Sequence, residues 1–238
     1  LDPVDLHTGW DLTKRRDISS LKSHIKTHRP LLTHLSPVCR IFSPAFHPLG
    51  ENYEDEEQYQ LDLQLAVNIC SISEYILTLR LFLCIESTLR SRMYKLQCYQ
   101  RLAWRAGMFF VDFNRCMNSY RHESTNQLVW KGHRFLTNAP WLMSLGVLCN
   151  HKHKHTPLEG GYTSKSQEYD WKMCLIYAKA HKSAKLWLRL LHGRLPVTSP
   201  STGMLLVSSI KTSSPGATLL PSSNCLHTEP VVYLTDAV

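Results

Sequence analysis

Residues 81–87 read LFLCIES, an apolar run too short for an ordinary helix and too continuous for a half-exposed strand. Such a run is a central strand buried on both faces, and it needs helices above and below it. The flanking sequence supplies them. Upstream, Leu61, Leu65, Ile69, Ile72, Ile76 and Leu79 recur at three- and four-residue steps, which gives a long helix one apolar face after the acidic loop ENYEDEE. Downstream, RSRMYKLQCYQRLAWRAG reads as a basic helix ended by Gly107, and MFFVDFN as a further apolar strand.

The same alternation begins earlier in the chain. Ile18, Leu21 and Ile25 fall at helical spacing after Asp17, the expected cap, and Pro30 closes that segment before an apolar strand over 31–36. Pro37 ends the strand because it has no N–H to give to a ladder. Beyond the third strand, LVWKGHRFLTNAP predicts a hairpin turning at Lys131 and Gly132, and residues 142–148 a short helix. A last helix follows, with Tyr169, Met173, Ile176, Ala180, Ala184 and Leu188 on one face. Helices alternating with strands imply an α/β fold, a mostly parallel sheet covered on both faces. After Gly193 the composition turns to Pro, Ser, Thr and Gly, too poor in apolar surface to offset its ordering entropy. The chain therefore divides into an α/β domain over 1–193 and a mostly disordered tail over 194–238.

Composition narrows the partners. A formal charge of +8 with thirteen further histidines favours a polyanion. Eight cysteines without the tight spacings of a secreted framework point to a reducing compartment. No apolar run reaches the roughly 18 residues that span a bilayer, and the N-terminus has no signal pattern, so the expectation is an intracellular protein of nucleus or cytoplasm with no membrane partner. The chain opens on Leu1 rather than Met, which reads as a fragment or an incomplete gene model.

Three groups of residues carry chemistry. In open α/β sheets ligands bind beyond the carboxyl ends of the strands, where Cys39 follows the strand over 31–36 and Glu86 ends the run over 81–87. A thiolate there can add to an electron-poor carbon while a carboxyl group, kept protonated, polarises a ring nitrogen. In CNHKHKH, Cys149, His151, His153 and His155 alternate, and an extended chain would turn all four to one side as ligands for a borderline-soft ion such as zinc, with Cys116 a distant partner. Arg90, Arg92, Lys95, Arg101 and Arg105, interleaved with Tyr94, Tyr99 and Trp104, suit phosphates and stacked bases.

Several of these stretches resemble one family. SPVCRIFS, residues 36–43, resembles the Pro-Cys-x-x-Phe-Ser loop of the DNA cytosine-5 methyltransferases, and FLCIES resembles their Glu-Asn-Val strand end. DLHTGWDLT resembles the acidic strand end after the cofactor's glycine loop, and HRFLTNAP a later arginine-bearing strand. The run from Asp5 to about Ala180, with KGHRFLTNAP and CNHKHKHTPLEGGYT, is similar to methyltransferase-like segments of eukaryotic mobile-element (retrotransposon) polyproteins. The resemblance implies a Rossmann-like methyltransferase sheet truncated at its N-terminus and DNA as partner. It casts Cys39 as nucleophile on a flipped cytosine, Glu86 as the group that activates the base, and Arg134 as a phosphate or base contact. Asp5, Trp10 and Asp11 would lie at the S-adenosylmethionine site. Val38 stands where the family has a second proline, Ser87-Thr88 replaces Asn-Val, and no Gly-x-Gly loop precedes Asp5. The expectation is a degenerate, inactive methyltransferase-like domain. The rival expectations are a non-catalytic nucleic-acid-binding module and a translated pseudogene fragment without selected function.

Overall fold

The computed structural model describes residue 4 and residues 8–43, 57–156, 169–184, 187–188, 203–211 and 228–236. Helix α1 (Arg15–His28) leads to strand β1 (Leu32–Leu35), and helix α2 (Glu57–Thr78) to strand β2 (Phe82–Thr88). Helix α3 (Gln97–Ala103), strand β3 (Phe109–Asn114), strand β4 (Gly132–Thr137) and helix α4 (Trp171–Lys182) follow. Strands β5 (Gly203–Lys211) and β6 (Thr228–Asp236) come from the segment read as a mostly disordered tail; the rest of that segment lies outside the described residues.

The fold is a mixed α/β arrangement. The first four strands lie in the order β3-β4-β2-β1, and β5 and β6 extend the same sheet beyond β1. β1 and β2 are parallel, with Leu35 level with Ile85. β4 lies antiparallel between β2 and β3, pairing Glu86 with Phe135 and Asp112 with Arg134. A mostly parallel sheet was the expectation, and this part of it is corrected. A parallel neighbour needs a crossover of a dozen or more residues, usually a helix. Between β3 and β4 the described chain has no α-helix, only a 3-10 turn (Arg115–Asn118) and irregular structure, and the strand returns antiparallel. Gly132 opens β4 against Leu89, where an added Cβ would stand 2.8 Å from the leucine Cβ.

β2 is covered on both faces. Leu83 and Ile85 join a core with Leu21, Ile25, Leu65, Ile69, Ile72 and Ile76 from α1 and α2. Cys84, between them, faces a second core with Phe113, Phe135, Trp141, Met173 and Tyr177, which α4 closes. Alternate residues of one strand thus serve two layers.

Local detail departs from the sequence pattern in two helices. Asp17 does not cap α1; it sits in the first turn, where its carboxylate accepts the Asp11 N–H at 2.9 Å. The basic segment expected as one helix breaks at Leu96, whose extended backbone separates a 3-10 turn (Arg92–Lys95) from α3. The break lets Met93, Tyr99 and Leu102 all reach the first core. Residues 142–148, expected as a short helix, are entered by a 3-10 turn over Pro140–Leu145.

Candidate functional site: a Cys/His cluster and a buried carboxylate

Two clusters of titratable groups converge from distant parts of the chain. The first gathers Cys116, Cys149, His153 and His155, whose ligating atoms all lie within 4.8 Å of one another. Cys116 comes from the 3-10 turn after β3. Cys149 is fixed to the end of the same strand, its N–H donating to Asn114 Oδ1 at 2.8 Å. The far end of the loop is held at Thr156, whose N–H donates to the Leu128 carbonyl at 2.9 Å. Cys149 Sγ lies 3.5 Å from both His153 Nε2 and His155 Nε2. With Zn–S of about 2.3 Å and Zn–N of about 2.0–2.1 Å, the S···N edge of a zinc tetrahedron is about 3.6 Å. The distances fit a shared ion.

Burial pushes the Cys116 thiol up to about 11, and the neighbouring Cys149 adds to the effect, because two sulfur anions side by side repel. Burial and the adjacent His153 and His151 lower His155, which favours the neutral imidazole that binds metal. The His151 N–H donates to Cys149 Sγ at 3.2 Å. The four groups can hold a metal ion. His151, expected as a ligand, is not among them: its φ of 57° breaks the extended geometry that alternate spacing presumed. Cys116, the distant partner, takes the fourth position.

The second cluster surrounds Glu86 in the interior. His133 Nδ1 lies 2.7 Å from Glu86 Oε1 and His34 Nε2 3.3 Å from Oε2. With Nε2–H of His34 donating to the carboxylate, its Nδ1 accepts from the Tyr177 hydroxyl at 2.7 Å. Burial opposes the charge on Glu86, yet the hydrogen bonds from His133 and His34 outweigh it and hold the carboxyl well below its ordinary range. Burial lowers His133 to about 4 although Glu86 opposes this, and Lys131 and Arg115 add repulsion. These shifts favour an ionised carboxylate beside a neutral His133 imidazole, whereas the expected base activation called for a protonated carboxyl. Sequence reasoning missed both histidines, although a lone His34 inside LLTHL is a polar residue in a buried strand and so in need of a partner.

Cys39 stands in the turn after β1, capping a 3-10 turn over Arg40–Phe42. Burial pushes its thiol up; Lys131 opposes and the Glu86 charge reinforces the shift.

The remaining expected site residues scatter. Asp5 lies outside the described residues. Asp11 accepts from the N–H of Thr13 at 3.0 Å and pairs with Lys14 at 3.0 Å, while Trp10 packs against the first core. Arg134 is engaged by Asp112 through two bonds of 2.7 and 2.6 Å and lies over the Phe110 ring. Tyr94 and Tyr99 belong to the first core and donate inward, Tyr99 to the Ala66 carbonyl at 2.9 Å and Tyr94 to the Arg134 carbonyl at 2.9 Å. Arg92 is half-buried, whereas Arg90, Lys95, Arg101, Trp104 and Arg105 are exposed.

No protein-family model matches the chain, and neither a curated protein nor a solved structure matches it. Among the described residues no helix is long and apolar enough to cross a membrane.

Proposed function

We propose that the chain is a cytosine-5-methyltransferase-like, Rossmann-related domain of mobile-element kind that binds nucleic acid without transferring a methyl group, and that zinc occupies its Cys/His cluster. One observation carries the nucleic-acid reading: Arg90, Lys95, Arg101 and Arg105 are exposed in one stretch beside Trp104, and none forms an ion pair among the described residues. Cations without a carboxylate partner attract phosphate and release its counterions on binding. The donor set of two thiols and two imidazoles suits a closed, four-coordinate structural zinc.

The interior argues against the transfer chemistry. A nucleophilic cysteine needs its thiolate, and burial of Cys39 disfavours that form. Both Glu86 oxygens already accept from histidines. Of the residues expected to hold S-adenosylmethionine, Asp11 has its carboxylate engaged by Thr13 and Lys14.

Fluorescence anisotropy of a labelled oligonucleotide across a salt series tests the binding. Engagement of three or four of these cations gives a log–log slope of about −3 on duplex DNA. A flat response contradicts the nucleic-acid reading.

A further inference from the structure

Trp104 is the most exposed large hydrophobic residue of the described chain, at 89%. It caps the C-terminus of α3, just before the turn at Gly107, whose φ is 85°. Burying a tryptophan removes about 150–250 Å² from water, and this fold forgoes that gain while Tyr94 and Tyr99 of the same segment are drawn into the core. Around the ring lies a shallow cleft of about 360 Å³, lined by Gln97, Gln100, Arg101, Trp104 and Arg105. No acidic residue lines it. Two guanidinium groups, two carboxamides and one free aromatic face therefore meet at one surface.

We infer that this cleft is a stacking site for an unpaired nucleobase, with Arg101 and Arg105 on the adjoining phosphates, so that single-stranded nucleic acid is the preferred ligand of the chain. The inference rests on the nucleic-acid reading above and narrows it to a strand class. A base inside a duplex has both faces covered by its neighbours, and exposing it costs a few kcal/mol of unstacking. A base in a single strand offers a free face at little cost, and any base will do, because every base has a π-face. Charge alone does not make this distinction, since both ligands carry phosphates. The exposed ring does. Gln97 and Gln100 add donors and acceptors for a base edge without fixing which base.

The test uses the full chain with a labelled oligothymidylate of about twelve nucleotides and a duplex of equal length, within the site sizes typical of single-strand binders. The single strand is expected to bind more tightly. Trp104→Ala weakens it by roughly 5- to 150-fold, the equivalent of one stacked base, and leaves the duplex within about twofold. Trp104→Phe retains most of the affinity. Arg101→Gln with Arg105→Gln weakens both ligands and shallows the salt slope by about 0.7 to 0.9 per lost contact. An unchanged thermal midpoint for Trp104→Ala shows that the exposed site is read and not the fold.

If Trp104→Ala weakens both ligands equally, or neither while binding persists, the stacking site is wrong and the nucleic-acid reading stands. If the chain binds neither oligonucleotide, both fall. A polyglutamate peptide that binds more tightly than the oligonucleotide and depends on Trp104 would make the surface a protein-docking site and overturn the inference.

Discussion

The Glu86 cluster and the Cys149 cluster look alike as lists of residue types, and they behave in opposite ways. Around Glu86 one anion faces N–H donors at both oxygens, and Tyr177 satisfies the far side of His34. Around Cys149 two sulfurs and two imidazoles all present lone pairs to a common point once the thiols ionise. The first arrangement is complete within the protein. The second needs a cation to bring its sulfurs together as anions. What marks a ligand site is therefore whether the groups that meet complement one another, not that polar groups meet in the interior.

The largest way to break this contrast is to withdraw the metal. With free zinc about 1,000-fold above its dissociation constant the folded chain gains about 4 kcal/mol, so a strong chelator should lower the thermal midpoint by about 8–16 °C in a chain of this size. Cys149→Ser should show the same low midpoint and no further response to chelator. Differential scanning fluorimetry reads both.

The next largest effect lies at the other cluster. Glu86→Ala leaves two buried imidazoles without their acceptor and should cost about 3 kcal/mol by urea denaturation, since hydrogen bonds to a charged group contribute about 1.5–3 kcal/mol each. Zinc content should not change. A variant that lost metal as well would join the two regions into one device.

Acid should sharpen the contrast further. His133 is lowered to about 4 from 6.5, so as pH falls between those values the unfolded chain takes up a proton that the folded chain refuses. Stability is then lost on acidification across that window, by about 2–3 kcal/mol. Glu86 runs on a lower window, because its depressed carboxyl contributes stability that is present above about 4.5 and lost as pH falls through its folded value. Denaturation in the presence of chelator isolates these terms from metal release, and His133→Phe should flatten the upper window.

The smallest effect is kinetic. Maleimide should label Cys39 slowly at neutral pH, because burial raises its thiol. Cys116 and Cys149 should resist labelling in metal-loaded protein and gain reactivity on chelation, as read by mass spectrometry of peptides.

The fold was legible where one strand or helix speaks for itself. LFLCIES became β2 because a strand buried on both faces has no polar alternation, and α2 kept its apolar face at Leu65, Ile69, Ile72 and Ile76. The antiparallel placement of β4 was hidden, since hydrophobic patterning reports burial and not direction. Three of the four groups that could hold a metal ion were visible in CNHKHKH, but His151 was counted with them because alternate spacing was read as an extended chain. Cys116 was read as the distant partner, and the long-range Asn114–Cys149 hydrogen bond holds the loop beside it. Tyr94 and Tyr99 were read as base-stacking partners for the same reason that they pack in the core: they are large and apolar, and sequence alone does not say which way they face.

Zinc-edge X-ray absorption on the purified chain tests the central contrast most directly. Two sulfurs at about 2.3 Å and two nitrogens at about 2.0–2.1 Å, with one sulfur lost in Cys116→Ser, are the expected result. A first shell of nitrogen and oxygen alone, or a sulfur count unchanged by Cys116→Ser, would contradict it.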